Sequence, residues 1–253
     1  MEVAIGIFLF ILGTILGSFY NVVGYRIPKG ESIVYPPSHC TNCNHKLTFF
    51  ELIPVLSYIF QKGKCKHCHK KISLFYPIFE TLTGVLFVLS YISYGLTPEL
   101  IIALTFVSLM IIIVVSDYHY LIISDGALIT FGILLFIEIL IINGLNAALY
   151  SLLNGLLAFL TMFILKKFGD FLFKKESMGG GDIKLLFIFG MVLSYPIAIL
   201  SIFVGSLIGL PLALLILYKE KDHVIPFGPF LAAGATLLLL LQFNLEMIIN
   251  FYR

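Results

Sequence analysis

The chain has 253 residues, 60 % of them hydrophobic and only 12 % charged, with a net charge of +2 and a mean hydropathy of +1.05. A soluble domain carries about a quarter charged residues, so the composition excludes an ordinary soluble fold and points to a polytopic membrane protein. So small a net charge leaves no electrostatic footprint for nucleic acid; the lipid bilayer is the expected partner.

The first apolar run covers residues 3–23. No basic residue precedes it, whereas Arg26 and Lys29 follow it, the reverse of a cleaved signal peptide. It reads as a retained first span with the N-terminus outside. The long polar stretch 26–76 comes next and holds all four cysteines, as Cys40-x-x-Cys43 and Cys65-x-x-Cys68. Paired knuckles at this spacing are the ligand pattern of a tetrahedral structural zinc site. A cytoplasmic loop keeps its thiols reduced, which argues against disulfides. Redox-active or metal-free thiols remain the alternative. His39, His45, His67 and His69 read as surface residues of a lysine-rich module.

Further spans are expected near 77–95, 98–116, 126–143, 146–166, 183–194, 197–218 and 227–249, separated by turn formers such as Asn143-Gly144 and Ser194-Tyr195-Pro196. With the N-terminus outside, every Lys and Arg except Arg253 falls on the inner flank, as the positive-inside rule requires. The expected fold is all-α, a polytopic membrane helical bundle of about eight transmembrane helices. A small cytoplasmic zinc-binding loop domain completes it. The expected divisions are a first span over 1–25, the four-cysteine loop over 26–76 and a transmembrane core over 77–253.

Two acids stand at the inner membrane edge. Asp117 ends the third span, and Asp182 begins the sixth behind Gly179-Gly180-Gly181. Ionisable groups at such positions are expensive in lipid and are functional candidates by default. The plainer reading of Asp182 is an N-cap with a flexible glycine entry. Two neighbouring carboxylates divide one proton, so one serves as acid and the other as base in metal-free peptide hydrolysis. Asp125 is the rival to Asp117, and Ser124 or Asp125 is expected to cap the fourth span. Lys184 either offsets the charge of Asp182 or snorkels to the interface. His119 reads as solvated in a short loop, and Glu138 as an interhelical hydrogen-bonding residue. A transporter would place its acids near the midplane and show internal repeats, neither of which is seen. A zinc-dependent scaffold would leave both acids unexplained.

The first span ends Gly17-Ser18-Phe19-Tyr20-Asn21-Val22-Val23-Gly24-Tyr25-Arg26-Ile27-Pro28. The loop contains Pro37-Ser38-His39-Cys40, Glu51-Leu52-Ile53-Pro54 and Ile72-Ser73-Leu74-Phe75-Tyr76-Pro77, and Pro226-Phe227-Gly228-Pro229-Phe230 lies near the end. With Asp117 and Gly179-Gly180-Gly181-Asp182, this order resembles the prepilin peptidase (type IV leader peptidase) family over almost the whole chain. The resemblance implies a GxGD-type membrane aspartyl endopeptidase of the bacterial inner membrane. Such an enzyme cuts the short basic leader of type IV prepilins and pseudopilins after a glycine, at the cytoplasmic face. It also implies N-methylation of the new terminus with S-adenosylmethionine, the alternative being a peptidase without that activity. By resemblance Asp117 and Asp182 are the catalytic pair, and Gly17, Asn21, Arg26 and Glu80 are candidates for the methylation or substrate region. One departure is Leu121-Ile122-Ile123-Ser124-Asp125, where the family often has a proline before the aspartate; its loss is expected to alter only how the loop turns.

Overall fold

A computed structural model describes residues 2–174, 176, 178–219 and 226–244, and these residues form helices joined by loops, with no β-strand among them. The long helices are α1 (Glu2–Arg26), α3 (Phe75–Tyr94), α4 (Glu99–Tyr120), α5 (Asp125–Asn143), α6 (Leu145–Phe173), α7 (Gly180–Leu193), α8 (Tyr195–Lys219) and α9 (Gly228–Leu240); a short α2 (Leu56–Phe60) lies in the loop between α1 and α3. Among the described residues, five of them, α1 and α3 to α6, are long and apolar enough to cross a bilayer. Each predicted span corresponds to one helix, with differences at the ends. Helix α6 runs on to Phe173, past the expected stop at 166, because Lys166 and Lys167 carry charge but do not break a helix. Helix α9 ends at Leu240, short of 249; residues 245–249 lie outside the described residues.

Helix α4 is the hub. Phe106, Val107, Leu109, Ile113 and Val115 are fully buried on it, and α1, α3, α5 and α9 pack around it. Elsewhere helices meet through small residues. The Cβ that Gly13 of α1 lacks would lie 2.8 Å from the Gly84 Cα of α3, so these two backbones touch. In lipid there is no hydrophobic force between helices, and such close contact is what association rests on. The chain alternates direction through α1, α3, α4, α5, α6 and α7. The ends of α1 and α4 and the starts of α5 and α7 therefore collect at one end of the bundle, where they line a common cavity.

Candidate active site

The cavity has a volume of about 470 Å3 and is lined by Ile27, Pro28, Asp117, Leu121 to Asp125, Gly179 to Asp182 and Lys184. Asp117 lies one turn before the end of α4, between the buried Ser116 and exposed Tyr118. Helix α4 stops because Leu121 takes a left-handed conformation and returns its N–H to the Asp117 carbonyl at 2.9 Å. The Ser116 hydroxyl bonds the Ile122 carbonyl and ties the turn back to α4. Ser124 then caps α5, its hydroxyl accepting the Ala127 N–H at 3.4 Å. The turn is thus made without the family's proline.

Asp182 is the third residue of α7, and Gly179, not Asp182, is the N-cap. Its carboxylate folds back toward Gly179, where a Cβ would lie 3.4 Å from Oδ2. The N-cap expected at Asp182 is therefore found one turn earlier, at Gly179. Asp182 itself faces the cavity that Asp117 also lines. Asp117 and Asp182 are 6 % and 8 % exposed, so two ionisable groups from distant parts of the chain are brought together out of bulk water.

The glycines divide the work unequally. A Cβ on Gly181 would lie 2.7 Å from the Ile123 Cβ, so this glycine lets α7 press against the 121–124 turn. A Cβ on Gly180 would meet nothing within 4 Å, and one on Gly179 would touch the Asp182 carboxylate at 3.4 Å. What Gly181 admits is the Ile123 side chain. Gly228, whose role the sequence did not reveal, donates its N–H to Asp117 Oδ2 at 3.0 Å from the start of α9.

Asp125 begins α5 and is paired with Lys184, whose Nζ lies 2.7 and 2.8 Å from its two carboxylate oxygens. Both side chains are about half exposed. Asp125 is thus an ion-paired residue at the mouth of the cavity, while Asp117 is the buried one. His119 is not a solvated loop residue. It sits in the last turn of α4, half-buried, shares a 2.6 Å hydrogen bond with the Tyr25 hydroxyl and packs among Phe75, Tyr118 and Tyr120. The loop was misjudged because α4 runs four residues past the expected end at 116. Glu138 is interhelical, accepting the Thr105 hydroxyl at 2.7 Å.

The remaining candidates lie elsewhere. Gly17, Asn21 and Glu80 belong to the buried seam between α1 and α3. A Cβ on Gly17 would strike Thr83 Oγ1 at 2.8 Å, Asn21 is 2 % exposed with a 3.5 Å bond to the Tyr76 carbonyl, and the Glu80 carboxylate accepts the Val55 N–H at 2.8 Å. Arg26 donates to the Ser32 carbonyl at 3.0 Å and lines a second cavity against the loop.

Cys40, Cys43, Cys65 and Cys68 converge, their sulfurs all within 4.8 Å of one another, an arrangement able to hold a metal ion. The two knuckles fold alike. The Cys40 N–H bonds the His45 carbonyl and the Cys65 N–H the Lys70 carbonyl, while left-handed Asn44 and His69 return their N–H groups to Cys40 and Cys65, all at 2.9 Å. The Lys70 amide holds the Cys68 thiol down to about 6. The His45 amide favours the Cys43 thiolate, but burial and the other three sulfurs outweigh it and push Cys43 up to about 12. Four crowded thiols do not all ionise without a cation among them. The histidines stay peripheral, His45 stacking on His67 and reaching Glu51 at 3.3 Å.

Residues 11–94 match the Bacterial Peptidase A24 N-terminal domain and residues 104–214 the Type IV leader peptidase family. Among curated relatives, the Prepilin leader peptidase/N-methyltransferase of Bacillus subtilis (strain 168) is 40 % identical over 247 residues, covering 96 % of each chain. The protein of that name from Legionella pneumophila is 31 % identical over all of this chain and 94 % of its own, and that of Myxococcus xanthus (strain DK1622) 34 % identical over 83 % of this chain and 63 % of its own. No solved structure matches. Matched along nearly its full length, with the two acids of its sequence pattern facing one cavity, the chain belongs to the type IV leader peptidase family.

Proposed function

We propose that this protein is a membrane aspartyl endopeptidase that removes the leader of type IV prepilins and related pseudopilins and then N-methylates the new terminus. The observation that carries the peptidase reading is the convergence of Asp117 and Asp182 on one cavity at the end of the bundle. A transporter is not favoured, since the acids lie at helix ends and not at mid-bundle.

One carboxylate is ionised and takes a proton from a water, whose oxygen attacks the scissile carbonyl carbon. The other, protonated, gives its proton to the departing nitrogen as the C–N bond breaks, and the pair resets by passing one proton across. The Gly228 N–H fixes Asp117 Oδ2 and so directs the other oxygen at the cavity. The amides at the start of α7 favour negative charge at Asp182. The lysine distribution supports a topology with the N-terminus outside, the cavity and cysteine loop on the cytoplasmic side of the inner membrane, and about eight crossings. The division into a first span (1–25), a loop (26–76) and a catalytic core (77–253) follows the same reading.

Zinc fits the cysteines. Tetrahedral zinc with Zn–S bonds of ~2.3 Å spaces its sulfurs by ~3.8 Å, and Cys40–Cys68 and Cys43–Cys65 are 3.8 and 4.0 Å apart. Four sulfur ligands leave no open position, so the ion is structural. S-adenosylmethionine supplies the methyl group when bound. Gly17, Asn21 and Glu80 do not fit a site for it, being closed in the α1–α3 seam, and methyl transfer is assigned to none of them.

The test is cleavage of a prepilin in membranes by the wild type, Asp117→Asn and Asp182→Asn at matched expression. Each variant is expected to retain under about 1 % of the rate, in line with loss of a catalytic acid or base. Normal cutting by both overturns the mechanism. Mass spectrometry of the product reads the methyl group directly.

A further inference from the structure

The loop between α1 and α3 does not stand off the bundle. Its Ile33, Val34, Leu52 and Pro54 enclose a cavity of about 320 Å3 against Ile15 and Phe19 of α1. Those two residues belong to the outward stripe Ile7, Phe8, Ile11, Ile15 and Phe19, the lipid-facing side of that helix. Counted back from Arg26 at 1.5 Å per residue, Ile15 lies about 16 Å along the axis, roughly half the thickness of a bilayer's hydrocarbon core. The loop therefore descends along lipid-facing surface.

The loop is anchored to α3 by a buried acid. Val55, with φ 61° and ψ −51°, is the centre of a tight turn in which the Leu56 N–H bonds the Pro54 carbonyl at 2.5 Å, an uncommon backbone for a β-branched residue. Its own N–H goes to Glu80, on the helix face that meets Gly17. Around it Leu52 bonds the Thr48 carbonyl, Ser57 bonds the Ile53 carbonyl, and Pro54 has no N–H to satisfy. Irregular backbone at membrane depth requires such internal partners; in water it does not.

The outer side of this hairpin is apolar. Phe49, Phe50, Ile59 and Phe60 are strongly exposed, Phe60 at 81 %. Exposed Lys62, Lys64, Lys66, Lys70 and Lys71 cluster instead toward the cysteine knuckle at its base. Aromatic tip and lysine base match acyl chains and phosphate headgroups in turn.

We infer that residues 47–60 form a re-entrant hairpin embedded in the bilayer beside α1 and α3, with Phe49, Phe50, Ile59 and Phe60 among the acyl chains and the cysteine knuckles at the headgroups. The inference stands apart from the peptidase reading. The chain contains no tryptophan, so one introduced residue is a unique reporter. The full-length Phe50→Trp and Phe60→Trp variants are placed in liposomes beside Phe8→Trp on α1 and Lys66→Trp at the knuckle. Fluorescence is read with brominated phosphatidylcholine or with aqueous acrylamide. Phe50→Trp and Phe60→Trp are expected to be quenched by the lipid as Phe8→Trp is, with acrylamide quenching at least threefold weaker than for Lys66→Trp. Quenching by acrylamide alone overturns the inference. Shielding from both reagents, the sign of a covering protein chain, overturns it equally.

Discussion

The backbone N–H of Gly228 donates to Asp117 Oδ2 at 3.0 Å, and a Cβ on Gly228 would lie 2.7 Å from that same oxygen. The bond and the absence of a side chain are one requirement. Any larger residue would push the carboxylate off its amide. Gly228→Ala is expected to slow prepilin cleavage 10- to 100-fold, about 1.4–2.7 kcal/mol in the barrier. A steady-state assay at matched expression checks it, and an unchanged rate would show that the amide does not position Asp117.

Gly181 and Gly180 are neighbours with opposite surroundings. Gly181→Ala is expected to drive the 121–124 turn away from α7 and lower activity at least tenfold, with membrane insertion intact. Gly180→Ala faces open space and is expected to stay within about threefold of wild type. Equal effects of the two would contradict the packing of Ile123 on Gly181.

Asp125 and Lys184 form an ion pair exposed on both sides, the kind that contributes about 0–1 kcal/mol. Asp125→Asn is expected to change the cleavage rate by less than about fivefold, against near-complete loss for Asp117→Asn. Were Asp125→Asn as severe as Asp117→Asn, the catalytic assignment would have to include Asp125.

Zinc removal separates loop from core. Stripping the metal, or the Cys65→Ser change, is expected to open the two knuckles around Cys40–Cys43 and Cys65–Cys68 to protease while the long helices keep their far-ultraviolet signal, because a structural zinc site holds its small domain by ~10 kcal/mol or more. Metal analysis is expected to find one zinc per wild-type chain. Protease resistance unchanged after complete chelation would show that the knuckles fold on their own hydrogen bonds.

What the sequence made legible follows from length and charge. Apolar runs marked the helices, and Asp117 and Asp182 stood out because acids at the edge of such runs are rare. The knuckles were plain from spacing alone. Pairings across the chain were not. Gly228 meets Asp117 over 111 residues, Tyr25 meets His119 over 94 and Lys184 meets Asp125 over 59. Periodicity reports which face of a helix is buried, not which partner lies against it. Glu80 shows the same limit: a candidate for the methylation or substrate region by resemblance, it accepts the Val55 amide.

Helix α7 has only 14 residues, which makes it about 21 Å long against a hydrocarbon layer of about 30 Å. Its first turn, bearing Asp182, therefore starts well below the level of the lipid phosphates if the other end reaches the opposite surface. On the proposed mechanism, hydrolysis there draws its water from the cavity that Asp117 and Asp182 line, and a target held as a helix would have to surrender its own regular turns to expose one peptide unit. The shortness of one element thus makes local unravelling of the incoming chain a precondition of cutting it.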